Sequence, residues 1–544
     1  MFRRSPKSTQ LDMFTSSVNM FKGKTLKQFE SKESWHNQFR KEVTNRINED
    51  LFKVLYAKGK GSPNASIRIM VAMMILKEGE GISDEKIFES ARFNILTRSA
   101  LGLENLDSEI PTESTYYLFR KNVNEYAKEK GENLFTSVFK DITKEQSINF
   151  NVSGKRIRMD SKLIGSNIAW LSRYELVHET IRVYYKECLK GNYLDNQTKS
   201  QLSEILKIKG NKIVYTSTST ELKKKLKELG SLMYSLKNNT LQNDIDFKDT
   251  FLRVFEEQFE VGDDKIVIAR DKQKISAKSV QSPHDPDSTY RNKDGNKKKG
   301  YAVNLTESCD DQGLNLIGDV DVKEITSSDV DFFQDGVERA SETFKDKAKD
   351  VHADGAYHSP DNQDYCKLEK INLYLHAIQG AKGRYELELK DGTLSVLDTK
   401  TAQQLDCKKI VTKNNEIKWR IKTEKAYRYF TQKQIDTGEL RKKIANTPLE
   451  ILQKRNNVEA SIFQLAYHFP NAKTKYRGLE KHQMWANMRS LWVNFVRIMN
   501  YNAVLGLKGL FFSLFNHFLA CFSLFLALEA IFFPKKKNIH LIII

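Results

Sequence analysis

Cysteine is scarce and scattered. The five residues Cys188, Cys309, Cys366, Cys407 and Cys521 form no CxxC or other close pair in 544 positions. This spacing argues against a disulfide framework and a clustered zinc site, and it suits a reducing cytoplasm. Proline is also sparse, with nine in the whole chain, so little interrupts regular elements and most of the chain is expected to fold. The start, "MFRRSPKSTQLDMF", lacks the apolar run of a secretory signal, and no export is expected. Long apolar runs are confined to "GLFFSLFNHFLACFSLFLAL" at 509–528, followed shortly by "PKKK". That stretch has the length of a membrane span, but Asn516 and His517 interrupt it. A buried oligomerisation helix, or a tail from a shifted reading frame, is the expectation instead.

What the chain has is charge of one sign in excess. Lys and Arg number 88 against 70 Asp and Glu, a formal charge of +18. Such a surface attracts polyanions, and nucleic acid is the first candidate because neutralised phosphates release their counterions. With 40% hydrophobic and 29% charged residues, the length allows roughly two to four domains with substantial cores.

The N-terminal third reads as helical. "SIRIMVAMMILKEGEGISDEKIFESARFNILTRSAL" (66–101) has apolar residues three and four apart, with Ser83 placed to start a helix. "PTESTYYLFRKNV" opens another at Thr112. An all-helical region over 30–150 is expected, either a helix-turn-helix DNA reader or a plain bundle. "KRIRMDSKLIGS" then alternates like a strand, with Asp160 at its expected end. Residues 164–262 turn helical again and look like an insertion. Strand-like "GYAVNLTES" and "GLNLIGDVDV", a helix over 329–347 and the strand in "VHADGAY" follow, and a small β-rich insertion is expected over 381–431. In "TPLEILQKRNNVEASIF" the order Thr447, Pro448, Glu450 predicts a capping box, which would put Glu459 well inside a helix with Arg455 on the same face.

Three acids stand out: Asp160 and Asp354, each following a short apolar strand, and Glu459 on a helix. Brought together by a mixed sheet, three hard oxygen donors without His or Cys suit Mg²⁺ or Mn²⁺. Two such ions about 3.5–4 Å apart would serve in-line phosphoryl transfer, and on a basic protein the substrate class is a DNA or RNA phosphodiester. Each acid also has a plain reading: Asp160 as a turn cap, Asp354 as an Asp-Gly turn, Glu459 as an ion-pair partner of Arg455. Asp285 and Asp287 in "SPHDPDS" read as loop acids. Lys297, Lys298 and Lys299, and the stretch holding Lys475 and Arg477, are candidate DNA contacts beside such a site.

"RIRMDSKLI", "VHADGAYHS" and "KRNNVEASIF" together resemble the three catalytic blocks of bacterial insertion-sequence DDE transposases. "GISDEKIFESARFNILTRSALGL" and "PTESTYYLFRKNV" are similar to the helical region that precedes the core in one large branch of these enzymes, and "SPHDPDSTYRNKDGNKKKGYAVNLTES" resembles the block leading into their second core strand. The resemblance covers about residues 35–500. It implies an α/β fold with an RNase H-like mixed-sheet core over 151–500 and a preceding helical domain, residues 501–544 remaining as an apolar tail. It further implies that Asp160, Asp354 and Glu459 bind two Mg²⁺ or Mn²⁺ ions. Arg455 becomes the signature arginine and a DNA contact. Double-stranded DNA, as element ends and target, is the implied partner of a homo-oligomeric synaptic complex at the bacterial nucleoid. Leu452 and Ala466 stand where the family's signature has tyrosine and lysine, which leaves Glu480 as an alternative third acid.

Overall fold

Ser83 and Thr112 cap their helices as the spacing predicts, accepting hydrogen bonds from the Lys86 amide at 3.1 Å and the Thr115 amide at 3.3 Å. Before them, Ser66 caps helix α1 (Ile67–Glu80) by accepting from the Ile69 amide at 3.3 Å. The sequence of α1, "IRIMVAMMILKEGE", is apolar on nearly every side, so it must be enclosed by other elements rather than lie on a surface. The computed structural model describes residues 1–6, 15–59, 61–240, 244–262, 264–293, 295–311, 313–378, 380, 383–390, 392–412, 416–423 and 426–532, with side chains to 505.

The central sheet has five core strands: β1 (Arg156–Gly165), β2 (Asn296–Ser308), β3 (Ile317–Glu324), β4 (Asp350–Ala353) and β5 (Asn372–Leu375). Their order is β3-β2-β1-β4-β5. β3, β2 and β1 run antiparallel, with Val322 opposite Val303 and Leu305 opposite Asp160, while β1, β4 and β5 run parallel, with Ile157 beside Val351 and Val351 beside Leu373. A short strand, Thr289–Lys293, forms a hairpin with the first residues of β2.

Alternation along the strands gives the sheet two apolar faces. Ile157, Met159 and Val351 pack beneath helix α2 (Phe333–Thr343) through Phe333, Val337 and Ala340. The opposite face, with Ile164, Val303, Leu305 and Val320, is covered by helices α3 (Asn456–Ala466) and α4 (Leu479–Phe532). One core unites this face, the N-terminal helices and the first part of α4. Gly79 marks the crossing of α1 and α4: a Cβ there would lie 2.1 Å from the Trp492 ring.

The expected helical insertion is built from Arg173–Lys190, Asn196–Leu206, Gly210–Thr216, Ser219–Thr240 and Lys248–Gln258, around a separate core that includes Tyr184, Met233 and Phe251. The β-rich stretch forms two three-stranded antiparallel sheets that share Leu387, Val396, Trp419 and Phe430. Among the described residues no helix is long and apolar enough to cross a membrane. The side chains of the apolar run 509–528, Cys521 included, lie outside the described residues.

Three local expectations are corrected. β1 continues five residues beyond Asp160, because its second half keeps β2 as a partner after β4 has ended. The helix expected over 329–347 is a short 3₁₀ turn followed by α2, which stops at Thr343. The capping box at Thr447 does not form: its hydroxyl donates back to the Lys443 carbonyl at 2.7 Å and closes the preceding helix, Gln432–Asn446.

Candidate active site and nucleic-acid cleft

Asp160 stands where the parallel partner of β1 stops. β4 pairs with Arg156–Arg158 and ends at Ala353, so Asp354 emerges at the carboxyl end of the neighbouring strand. The Asp354 carboxylate turns back to accept from the Gly355 amide at 2.6 Å. Gly355 is required by close approach and not by its turn, since a Cβ would lie 1.7 Å from the Ala377 carbonyl oxygen. Asp160 accepts from the Ser161 amide at 2.9 Å.

Glu459 reaches the same place from above the sheet. The helix expected to run continuously through it is broken after Gln453, and Arg455 becomes the residue before α3. At this break the Lys454 carbonyl points away to accept from Arg158 Nη1 at 3.1 Å. Glu459 therefore lies in the first turn of α3, where a carboxylate meets the positive end of the helix. It still faces Arg455, at 3.4 Å.

Arg455 draws the three acids together. Its Nη2 lies 3.3 Å from Asp160 and 3.8 Å from Asp354, and its Nη1 contacts Glu459. Expected as a DNA contact, the guanidinium is instead 13% exposed and directed at carboxylates, with Nε buried and without an acceptor. Glu480 lies elsewhere, accepting from Asn133 Nδ2 at 2.7 Å. A fourth carboxylate, Asp329, lies beside the site and accepts from the Ser161 hydroxyl.

Electrostatically this site is under-compensated. Burial raises the Asp160 carboxyl, Arg455 and the Ser161 amide lower it, Asp354 and Asp329 raise it again, and the outcome is a pKa pushed up to about 6. Among the described residues no group of three or more His, Cys, Asp or Glu side chains is arranged closely enough to hold a metal ion. Asp160, Asp354 and Glu459 nonetheless present only carboxylate oxygen, the chemistry a hard divalent cation takes, and Arg455 is their shared countercharge.

On the same face of the sheet lies a second carboxylate of opposite character. Glu307 on β2 is 0% exposed and opposes Arg158 in the sheet. It accepts from Arg158 Nε at 2.6 Å and the Ser461 hydroxyl at 2.6 Å, and pairs with Arg497 Nη1 at 2.9 Å. Burial pushes its carboxyl up, but Arg497 and Arg158 outweigh this and hold it below its ordinary value. Ser461 lies on α3 and Arg497 on α4, so this network fixes the helix that carries Glu459 against the strand that carries Asp160.

Beyond Asp160 the end of β1 is flanked by cations. Lys162, Lys297, Lys298, Lys299 and Lys473 line a cleft of about 550 Å³ together with Trp170. Lys475 and Arg477 line a neighbouring cleft of about 480 Å³ with Lys77, Arg120 and Lys481. Asn167 lines the second cleft between Ser166 and Ile168 of the first; its amide donates to the Tyr476 carbonyl at 2.9 Å and its carbonyl accepts from Arg477 Nε at 2.7 Å. Burial lowers the Lys298 and Lys299 ammonium pKa values, and Lys162 adds repulsion at Lys298. None of Lys297, Lys298, Lys299, Lys475 or Arg477 forms an ion pair among the described residues. Asp285, expected in a loop, is 1% exposed and accepts from the Ser166 and Tyr301 hydroxyls beneath this cleft. It is a structural acid that ties the loop before β2 to the end of β1.

Glu307, Asp329, Asp285 and Trp170 were not readable as site residues. Each acquires its place from a partner more than a hundred residues away, Trp170 from Tyr290 and Lys299 on two paired strands.

Residues 26–122, which hold α1 and the two helices capped by Ser83 and Thr112 up to residue 122, match the family model of a transposase domain (DUF772). Nothing matches among curated proteins or among solved structures. The match supports reading the chain as an insertion-sequence transposase.

Proposed function

We propose that the protein is a DDE-type DNA transposase with an RNase H-like catalytic core. On this reading it binds the ends of its element, cleaves phosphodiester bonds and joins the freed 3′-OH to target DNA. The observation that carries the reading is the convergence of Asp160, Asp354 and Glu459 on one guanidinium, at the point where β1 and β4 part. The strand order β3-β2-β1-β4-β5, antiparallel on one side of β1 and parallel on the other, supports the RNase H-like assignment. The transposase-domain match and the lysines of the cleft, whose charge no carboxylate lining it offsets, support DNA as the substrate.

Asp160, Asp354 and Glu459 would hold two Mg²⁺ or Mn²⁺ ions, which supply activation of the attacking oxygen and stabilisation of the leaving one. The protein's own part is positional. Glu307, Arg158, Ser461 and Arg497 fix α3 over β1, and Arg455 holds the carboxylates near one another. The lysines beside β1 align the strand by its phosphates. Double-stranded element ends and target DNA are the partners, in a homo-oligomeric synaptic complex at the nucleoid.

Titrating the full-length protein with Mg²⁺ or Mn²⁺ on labelled DNA carrying its own element ends, beside Asp354→Asn, tests this. Metal-dependent cleavage lost in the variant is the expected result. DNA binding without cleavage at any metal concentration would favour a relative that has lost its chemistry, the reading to which Leu452 and Ala466 point. Cleavage without joining would leave a nuclease.

A further inference from the structure

The acid site does not account for Trp170. It follows the end of β1 and is 57% exposed, unusual for the largest apolar side chain, yet its orientation is set. The Lys299 ammonium lies 4.8 Å from the centre of its ring, and Tyr290 meets it edge-on at 6.4 Å and 89°. The cleft it lines holds five lysines and no carboxylate. Lys298 and Lys473 already donate to backbone carbonyls, at 3.0 Å to Leu163 and 2.9 Å to Ile168, so they are fixed rather than mobile.

Five clustered cations call for a polyanion, whereas an indole calls for a flat apolar partner. A nucleic acid strand offers both, but only where a base has left its stack: in a duplex each base face is covered by its neighbours. We propose that the Trp170 cleft holds an unstacked nucleotide of a DNA strand, its base against the indole and the flanking phosphates on the lysines. The inference rests on the DNA reading above. Gly165 lies five residues beyond Asp160 on β1. At ~3.3 Å per residue that is about 17 Å, so the held nucleotide sits a few positions from the bond the acids address.

The test uses the full-length protein in EDTA at low salt, with a blunt duplex and the same duplex carrying a short single-stranded tail that contains 2-aminopurine. The tailed duplex should bind more tightly and its fluorescence should fall on binding. Trp170→Ala should lose about ten-fold in affinity for the tailed duplex, the scale expected for one stacked base, and lose the quenching, while its blunt-duplex affinity stays as before. Trp170→Phe should retain most of both signals, which separates stacking from a folding defect in the Ala variant. Wild-type tail preference and quenching in Trp170→Ala would overturn the inference. Equal, salt-sensitive binding of both duplexes by the wild type would overturn it too but leave the DNA reading standing, and no binding of either would remove both.

Discussion

Asp160 and Glu307 are two carboxylates on adjacent strands and on the same face of one sheet, the first half-buried and the second wholly buried, each facing arginine, yet their chemistry differs. Glu307 has two guanidinium groups and a hydroxyl within 2.9 Å and is held below its ordinary pKa. Asp160 has one shared guanidinium at 3.3 Å, two carboxylate neighbours, and a pKa pushed up to about 6. Glu307 is the more deeply buried of the two, so burial alone would raise its carboxyl further than that of Asp160 and cannot be what distinguishes them. The number of partners left over for each acid does. A satisfied buried acid serves the fold, and a short-changed one is available to a ligand.

The largest effect that bears on this contrast is on the Asp160 side. Asp160→Asn and Asp354→Asn are each expected to lower metal-dependent cleavage about a thousand-fold or more, with low-salt DNA binding unchanged in a gel-shift titration. Cleavage at wild-type rate in either variant would end the assignment.

On the Glu307 side the loss should appear as stability. Glu307→Ala leaves Arg158 and Arg497 buried without their acid, at a cost of about 3–5 kcal/mol, read from chemical denaturation. A midpoint unchanged from wild type would show the two carboxylates to be alike after all.

Asp160 should behave in the opposite sense. A carboxyl whose folded pKa is about 6, above its ordinary 3.8, binds its proton more tightly in the folded chain. Its ionisation therefore destabilises the fold fully above pH about 6, and the cost disappears below about 4. In metal-free buffer Asp160→Asn should stabilise the protein at pH 7 by on the order of 1 kcal/mol, with the gain vanishing in melts near pH 4. A loss of stability at pH 7 would mean that Arg455 compensates Asp160 fully.

The smallest effect concerns cations that, unlike Arg455, have no carboxylate to pair with among the described residues. Lys297→Ala and Lys298→Ala should each weaken DNA binding and reduce the log–log salt slope by about one, without altering sequence preference. An unchanged slope would place the phosphates elsewhere.

How much of this was readable depends on how local each signal is. Ser83 and Thr112 were legible because a cap bonds an amide three residues on, within one stretch of sequence. Asp160, Asp354 and Glu459 were legible as residue types in order, although not as a cluster. Thr447 misled because a threonine hydroxyl serves equally well as a forward cap or a backward donor, and here the preceding helix claims it. The end of β1 misled because strand length depends on the partner strand, and β2 outlasts β4. Glu307 was illegible in principle: nothing within "NLTES" announces Arg158 or Arg497, 149 and 190 residues away.

The shared core of α1, α4 and the sheet also has a consequence in time. The segment that matches a transposase domain ends at residue 122, but the helix that encloses α1 begins at Leu479. At ~5–20 residues per second on the ribosome, roughly twenty seconds to a minute separates the synthesis of the two. Throughout that interval Met70, Met74 and their neighbours lack their final cover. A nascent or prematurely terminated chain therefore carries the N-terminal helices without a finished fold, and the protein becomes competent only when nearly all of it has been made.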